Sequence, residues 1–150
     1  MHDSEASQPL QRNLPMLLLQ ARESLMAHFR PLLTFHELTE QQWRIIRTLG
    51  ENEPLEPHQL GMLCAISSPS ISGVLRRMES GGLISRSSVP RDQRRVLVSL
   101  TEAGEGKRKT VALDIERRYA ALENRIGTAR LQQVYREVDK LLRTLASEPS

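Results

Sequence analysis

The sequence predicts a mainly α-helical fold that carries one small β-hairpin, a wing. Three observations point there. Apolar residues recur at helical spacings of three and four along most of the chain. One stretch, SSVPRDQRRVLVSL at 87–100, instead joins a polar, Pro-containing turn to period-two alternation at Val96, Val98 and Leu100. The third observation is where the charge lies. Residues 67–99 hold six arginines (Arg76, Arg77, Arg86, Arg91, Arg94, Arg95) against two acids (Glu79, Asp92), although the whole chain carries a formal net charge of only +3.

Residues 1–12 are polar and are expected to form a flexible tail. From about 14 to 33, Leu14, Leu18, Ala21, Leu25, Phe29 and Leu32 mark one helix, which Pro31 is expected to bend or end near Arg30. TEQQWRIIRTLG opens with Thr39 as N-cap and Gln42 three residues later, a capping box. That helix should bury Trp43, Ile46 and Leu49 and stop at Gly50. EPHQLGMLCA predicts a short helix, with Pro57 in its first turn and Leu60, Leu63 and Ala65 as candidates for burial.

SSPSISGVLRRMESGG is the most informative helix. Ser68 is expected to cap it, with Pro69 in its first turn and Gly81 as its stop. Ile71, Val74, Leu75 and Met78 make the i, i+3, i+4, i+7 stripe. Ser72, Gly73, Arg76, Arg77 and Ser80 then fall on the opposite face, with Ser70 at its edge. LISRSSV, PRDQ and RRVLVSL follow as strand, tip and strand. Thr101 caps a long helix to about Arg125, with Val111, Ile115, Tyr119 and Leu122 on one face; Gly104 and Gly106 weaken its first turn. After a break at Gly127 and Thr128, a last helix carries Leu131, Val134, Val138, Leu141, Leu142 and Leu145 as its apolar stripe.

Composition narrows the class. A chain of 150 residues is one domain, or one subunit of an intertwined oligomer. Aromatics make up 3%, so the core must rest on aliphatic side chains. No apolar run is long enough to span a bilayer, and the start lacks a secretory pattern. The single cysteine, Cys64, excludes an internal disulfide framework and fits a reducing cytoplasm. There is no Gly-rich phosphate loop, nucleophile elbow or Cys/His metal spacing. The expectation is a cytoplasmic protein, nucleoid-associated when bound to DNA, that is not an enzyme and uses no cofactor or metal.

Helix, short helix, basic helix and basic hairpin, in that order, read as a winged helix-turn-helix. The second helix of the pair would enter the major groove, where short hydroxyls approach base edges and arginines reach bases or phosphates. The hairpin would lie over the neighbouring minor groove, whose negative potential attracts arginine when it is narrow. Asp92, two residues before Arg94, is expected to orient a wing arginine through a charge-assisted bond.

These residues also carry a resemblance. LTEQQWRII, the GLISR step and RDQRRVLVSLTEAG, with its D-x-R…L-T-x-x-G wing pattern, resemble the multiple-antibiotic-resistance regulator (MarR) family over roughly residues 10–147. LLLQARESLMAHFRPLL followed by LTEQQWRI is similar to that family's regulators of homoprotocatechuate degradation. The resemblance implies an intertwined homodimer, with dimerisation helices at 13–36 and 101–147 and the winged helix-turn-helix at 37–100. It implies DNA contacts from Ser68, Ser70, Ser72, Arg76, Arg77, Arg91, Asp92, Arg94 and Arg95, with Arg94 as the minor-groove arginine. The function so implied is repression at a palindromic operator of double-stranded DNA, relieved by a small aromatic acid such as homoprotocatechuate or 4-hydroxyphenylacetate.

Effector candidates are the polar residues that punctuate otherwise apolar helices: Gln20, Arg22, Ser24, His28, His36, Trp43 and Arg44. Arg22 or Arg44 would fork the carboxylate, Trp43 would wall the ring, and His28 or Ser24 would meet the hydroxyls. Each also has a structural reading: Trp43 as a core anchor, the arginines as interhelical ion pairs, the histidines as exposed or structural. Two alternatives remain open from sequence. One is an architectural or constitutive DNA binder without an inducer. The other is a regulator of a different phenolic or stress response.

Overall fold

The computed structural model describes residues 12–147 and Pro149, so the expected tail at 1–12 lies, except for Arg12, outside the described residues. The elements are α1 (Leu14–Phe35), α2 (Glu40–Glu51), α3 (Pro57–Leu63), α4 (Ser68–Ser80), β1 (Ile84–Val89), β2 (Asp92–Leu100), α5 (Glu102–Ile126) and α6 (Thr128–Ala146). A mainly helical chain with a two-stranded antiparallel wing is therefore what the sequence folds into.

Asn13 caps α1, its Oδ1 accepting from the Met16 N–H at 3.1 Å. The helix does not end near Arg30. Pro31 lies inside it, and α1 continues to Phe35. The ring deletes one donor, while Phe29 and Leu33, both buried, anchor the helix on either side of it. The turn after it is closed by the Leu38 N–H on the Leu33 carbonyl at 2.9 Å.

The capping box of α2 forms as expected, and the helix buries Trp43, Ile45, Ile46 and Leu49. It runs one residue past Gly50, whose missing side chain leaves the space through which Arg108 of α5 crosses. In α3 only Leu60 and Gly61 are buried. Leu63, at 61% exposure, and Ala65 face outward, against expectation. The inward face of α3 is made by Leu60, Gly61 and its C-cap Cys64, which leaves Leu63 outside it, and the left-handed residue at Ala65 (φ 52°) then turns the chain so that Ile66 goes inward.

The N-cap of α4 is Ser67 and not Ser68, which is already helical. The Ser67 carbonyl accepts from the Ser70 and Ile71 N–H groups, both at 3.0 Å. Ile71, Val74, Leu75 and Met78 are buried as the stripe requires. β1 and β2 pair from Ile84↔Leu100 to Ser88↔Val96, with an irregularity at Ser88/Val89 before the tip. Val98 is fully buried and also bridges to Leu55, which pins the hairpin to the helices.

Thr101 caps α5, and Val111, Ile115 and Leu122 are buried. Tyr119 shares their stripe but is 41% exposed. Its ring instead lies 4.7 Å from that of Phe29 across α1. The hydrophobic core thus joins α1 and α5 to the winged unit. No residue of α6 is buried.

Candidate nucleic-acid interface and effector cavity

Burial of the α4 stripe leaves Ser68, Ser70, Ser72, Arg76 and Arg77 exposed. The Ser67 and Ser70 hydroxyls are 3.0 Å apart, and the Arg77 guanidinium folds back toward Gly73. At the wing tip, Asp92 does act on Arg94, but through the backbone: its Oδ1 accepts from the Arg94 N–H at 3.1 Å. Arg95 stays exposed but is paired: its Nε donates to Glu56 at 2.5 Å, which ties β2 to the start of α3. Arg86 pairs with Glu79 at 3.6 Å. Among the described residues, Arg76, Arg77, Arg91 and Arg94 are exposed and enter no ion pair.

A cavity of about 140 Å³ lies between α1, α2 and α5. Met26, Phe29, Leu33, Ile115, Trp43 and Tyr119 supply apolar wall, and Arg22, Glu40, Arg44 and Arg47 the polar groups. An adjoining cleft of about 260 Å³ shares Trp43, Arg47, Ile115 and Tyr119 and adds Glu51, Arg108 and Glu116. Glu40 pairs with Arg22, and with Arg30 at 3.6 Å. Glu40 Oε1 is buried against the Arg22 guanidinium. Arg44 Nε is a buried donor without an acceptor, while its Nη1 donates to the Cys64 carbonyl at 2.6 Å. Burial pushes the Tyr119 hydroxyl above its ordinary pKa; nearby Tyr135 adds to the rise and Arg47 opposes it.

The structure brings three of the expected effector residues, Arg22, Trp43 and Arg44, into this cavity. Ser24 and His28 line a separate groove with Arg125 and Arg130. His36 hydrogen-bonds Asp114 at 2.7 Å, tying the end of α1 to α5. Gln20 is exposed on α1 and lines neither the cavity nor its cleft. Glu40, Arg47 and Tyr119 were missed from sequence. The signal for the first two was present: Glu40, Trp43, Arg44 and Arg47 stand at i, i+3, i+4 and i+7, one face of α2.

A helix-turn-helix whose second helix exposes serines and arginines, followed by an arginine-tipped hairpin, defines a winged-helix DNA-binding protein. Residues 38–96 match the MarR family. The homoprotocatechuate degradative operon repressor of Escherichia coli is 40% identical over 134 residues, 89% of this chain and 84% of that protein. Among solved structures, transcriptional regulator PA4135 superposes with a TM-score of 0.86 at 40% identity, over 93% of this chain and 100% of that one. NadR in complex with 4-hydroxyphenylacetate does so with a TM-score of 0.77 at 37% identity, over 90% of this chain and 96% of that one. The chain belongs to the MarR family of transcription regulators. No described helix is long and apolar enough to cross a membrane.

Proposed function

We propose that the protein is a homodimeric repressor that leaves a palindromic operator when a hydroxylated aromatic acid fills the α1–α2–α5 cavity. One observation carries the effector reading. Arg44 Nε, a buried donor without a hydrogen-bond partner among the described residues, belongs to a residue that lines this cavity. Glu40, one helical turn before it on α2, is already paired with Arg22 and Arg30. A phenol hydroxyl oxygen is an acceptor for the Arg44 donor, and leaving a buried donor unmet is costly.

The rest of the lining fits the rest of such a ligand. Trp43, Phe29 and Tyr119 give aromatic wall for one ring. Arg47, shared by the cavity and the outer cleft, is placed to meet a carboxylate directed outward. This moves the carboxylate from Arg22 and Arg44, which are engaged by Glu40 and Cys64. The repressor name of the Escherichia coli relative and the 4-hydroxyphenylacetate bound to NadR support the same chemistry.

Ser70, Ser72, Arg76 and Arg77 are the proposed major-groove contacts, with Ser68 and Arg91 at their flanks and Arg94 in the minor groove. Asp92 serves by shaping the tip, and Arg95 by fixing the wing to α3. The dimer follows from unpartnered apolar surface: Leu18 and Leu19 of α1 are 41% and 50% exposed, and Leu142 and Leu145 of α6 are 60% and 73% exposed. Two-fold symmetry then places half-sites about 10 base pairs apart. Occupied promoter DNA excludes polymerase, which gives repression.

The test is calorimetry with homoprotocatechuate, 4-hydroxyphenylacetate and phenylacetate, beside operator binding at fixed salt. Binding of the hydroxylated acids, at least about tenfold weaker binding of phenylacetate, and release of the operator are expected. Failure of all three acids to bind sinks the effector reading and leaves a constitutive DNA binder.

A further inference from the structure

Arg44 lines the cavity and also holds the turn that leads into α4. Its Nη1 donates to the Cys64 carbonyl at 2.6 Å, and Cys64 closes α3. The turn that follows is held under constraint. Ala65 carries a Cβ in the left-handed region, at φ 52°, where glycine is the easier residue. The Ile66 N–H closes back on the Gly61 carbonyl at 2.9 Å. Ser67, the next residue, is the N-cap of α4. Two residues, Ala65 and Ile66, therefore separate the carbonyl that Arg44 holds from the cap of the recognition helix.

On the same guanidinium, Arg44 Nε is buried without an acceptor among the described residues. A guanidinium is planar and rigid, so Nε and Nη1 re-aim together. An oxygen that draws Nε into the cavity must change the direction in which Nη1 meets Cys64. A second tie, the Cys64 Sγ donating to Thr48 Oγ1 at 3.3 Å, keeps α3 against α2 while this happens.

The geometry points to Arg44 as the positioning residue through which cavity occupancy reaches the recognition helix. An effector hydroxyl accepts from Nε, the guanidinium tilts, and the Nη1 bond to Cys64 weakens. The constrained turn at Ala65 relaxes, and α4 shifts from its DNA-competent setting. Antagonism between the sites then has a physical carrier: Arg44 makes different bonds in the two states, as any coupling of this kind requires. The inference rests on the cavity being the effector site.

Arg44→Lys tests it in the full-length protein. Lysine keeps a cation and a donor within reach of Cys64, but has no rigidly linked second N–H. Calorimetry reads 4-hydroxyphenylacetate affinity, and anisotropy reads operator affinity with and without that acid at saturation. The native protein is expected to lose operator affinity by about tenfold or more with the acid present. The variant should hold free-state operator affinity within about threefold and bind the acid more weakly, because one donor to its hydroxyl is lost, yet at saturating acid lose less than about twofold in operator affinity. A native-sized loss in the variant overturns the relay alone. A variant that cannot bind operator even without the acid also overturns it, because Arg44 is then only a structural tie. A native protein that does not bind the acid overturns the relay and the cavity reading together. A mutation-free measurement covers a variant that does not fold: in native protein titrated with 4-hydroxyphenylacetate, the Ile66 and Ser67 amide resonances should shift along the binding curve. Amides that stay fixed while the acid binds overturn the inference.

Discussion

Asp92 Oδ1 holds the backbone N–H of Arg94 at 3.1 Å, so the wing-tip acid shapes the chain that presents the arginine. A side chain that bonds the backbone two residues on fixes a turn without spending the cation's charge. Arg94→Ala is expected to weaken operator binding by about 1–3 kcal/mol and to flatten its salt dependence. Asp92→Ala should lose part of this and Asp92→Asn, which keeps an acceptor oxygen, much less. Arg95 is committed to Glu56, an exposed pair of small net value, so Arg95→Ala should cost less than about 1 kcal/mol. Anisotropy titrations across a salt series check the set; equal losses at Arg94 and Arg95 would contradict the division of roles.

Gly104 sits in the first turn of α5, where helix propensity argues for replacing it. A Cβ there would run into the Leu83 carbonyl, and Leu100 Cδ2 is also close. Alanine gains about 1 kcal/mol in propensity, but forcing backbone apart costs about 1–3 kcal/mol or more. Gly104→Ala is therefore expected to destabilise the protein, whereas Gly106→Ala, which meets nothing within 4 Å, should stabilise it. Thermal melts of the two variants give opposite signs if the close approach of α5 to Leu83 is real.

Cys64 is buried, and that burial is the main force lifting its thiol above its ordinary pKa; the bond to Thr48 and the charge of Arg44 pull the other way. The folded state thus holds the proton longer than the unfolded state. The resulting stability is fully present below the ordinary thiol value of about 8.5 and is lost as pH rises through the folded one. Tyr119, also raised by burial, adds a loss of the same sign at higher pH. The melting temperature should fall above about pH 8.5, and the fall should be shallower in Cys64→Ala. Peroxide at neutral pH should leave operator binding unchanged, since the thiolate is the reactive form. A peroxide-sensitive operator complex that Cys64→Ala renders insensitive would reverse this reading.

Element type was legible wherever one face of a segment is buried, because burial imposes the period. That holds for α2, α4 and β2. Sequence reasoning failed where tertiary contacts override a local rule. Pro31 should bend or end α1 near Arg30, but the helix runs on to Phe35, anchored by the buried Phe29 and Leu33. Leu63 and Ala65 should be buried, but α3 turns Leu60, Gly61 and Cys64 inward, and the left-handed Ala65 sends Ile66 inward after them. At the candidate site, the arginines and serines of α4 were legible from the stripe opposite them. The effector cavity was legible only in part. Arg22, Trp43 and Arg44 come together, but Tyr119 arrives from α5, and no local period ties it to α1 and α2. Arg95 looked like Arg94 because its partner, Glu56, is distant in sequence.

The apolar stripe of α6 was legible too, yet it finds no cover within the chain. Val134, Leu142 and Leu145 are 51%, 60% and 73% exposed. The exposed leucines of α1 add to this uncovered apolar surface, of the kind that marks an interaction face. Leu141, on the same stripe, is half-buried already. Leu141→Asp should therefore leave each chain folded, because no residue of α6 belongs to the core, but place an unpaired charge in the proposed dimer seam at a cost of several kcal/mol. Sedimentation velocity should show a monomer with native helix content, and operator affinity should fall by far more than the loss of one phosphate contact explains, since one winged unit then reads one half-site alone. A folded monomer that still binds the operator with native affinity would remove two-fold symmetry from the account of recognition.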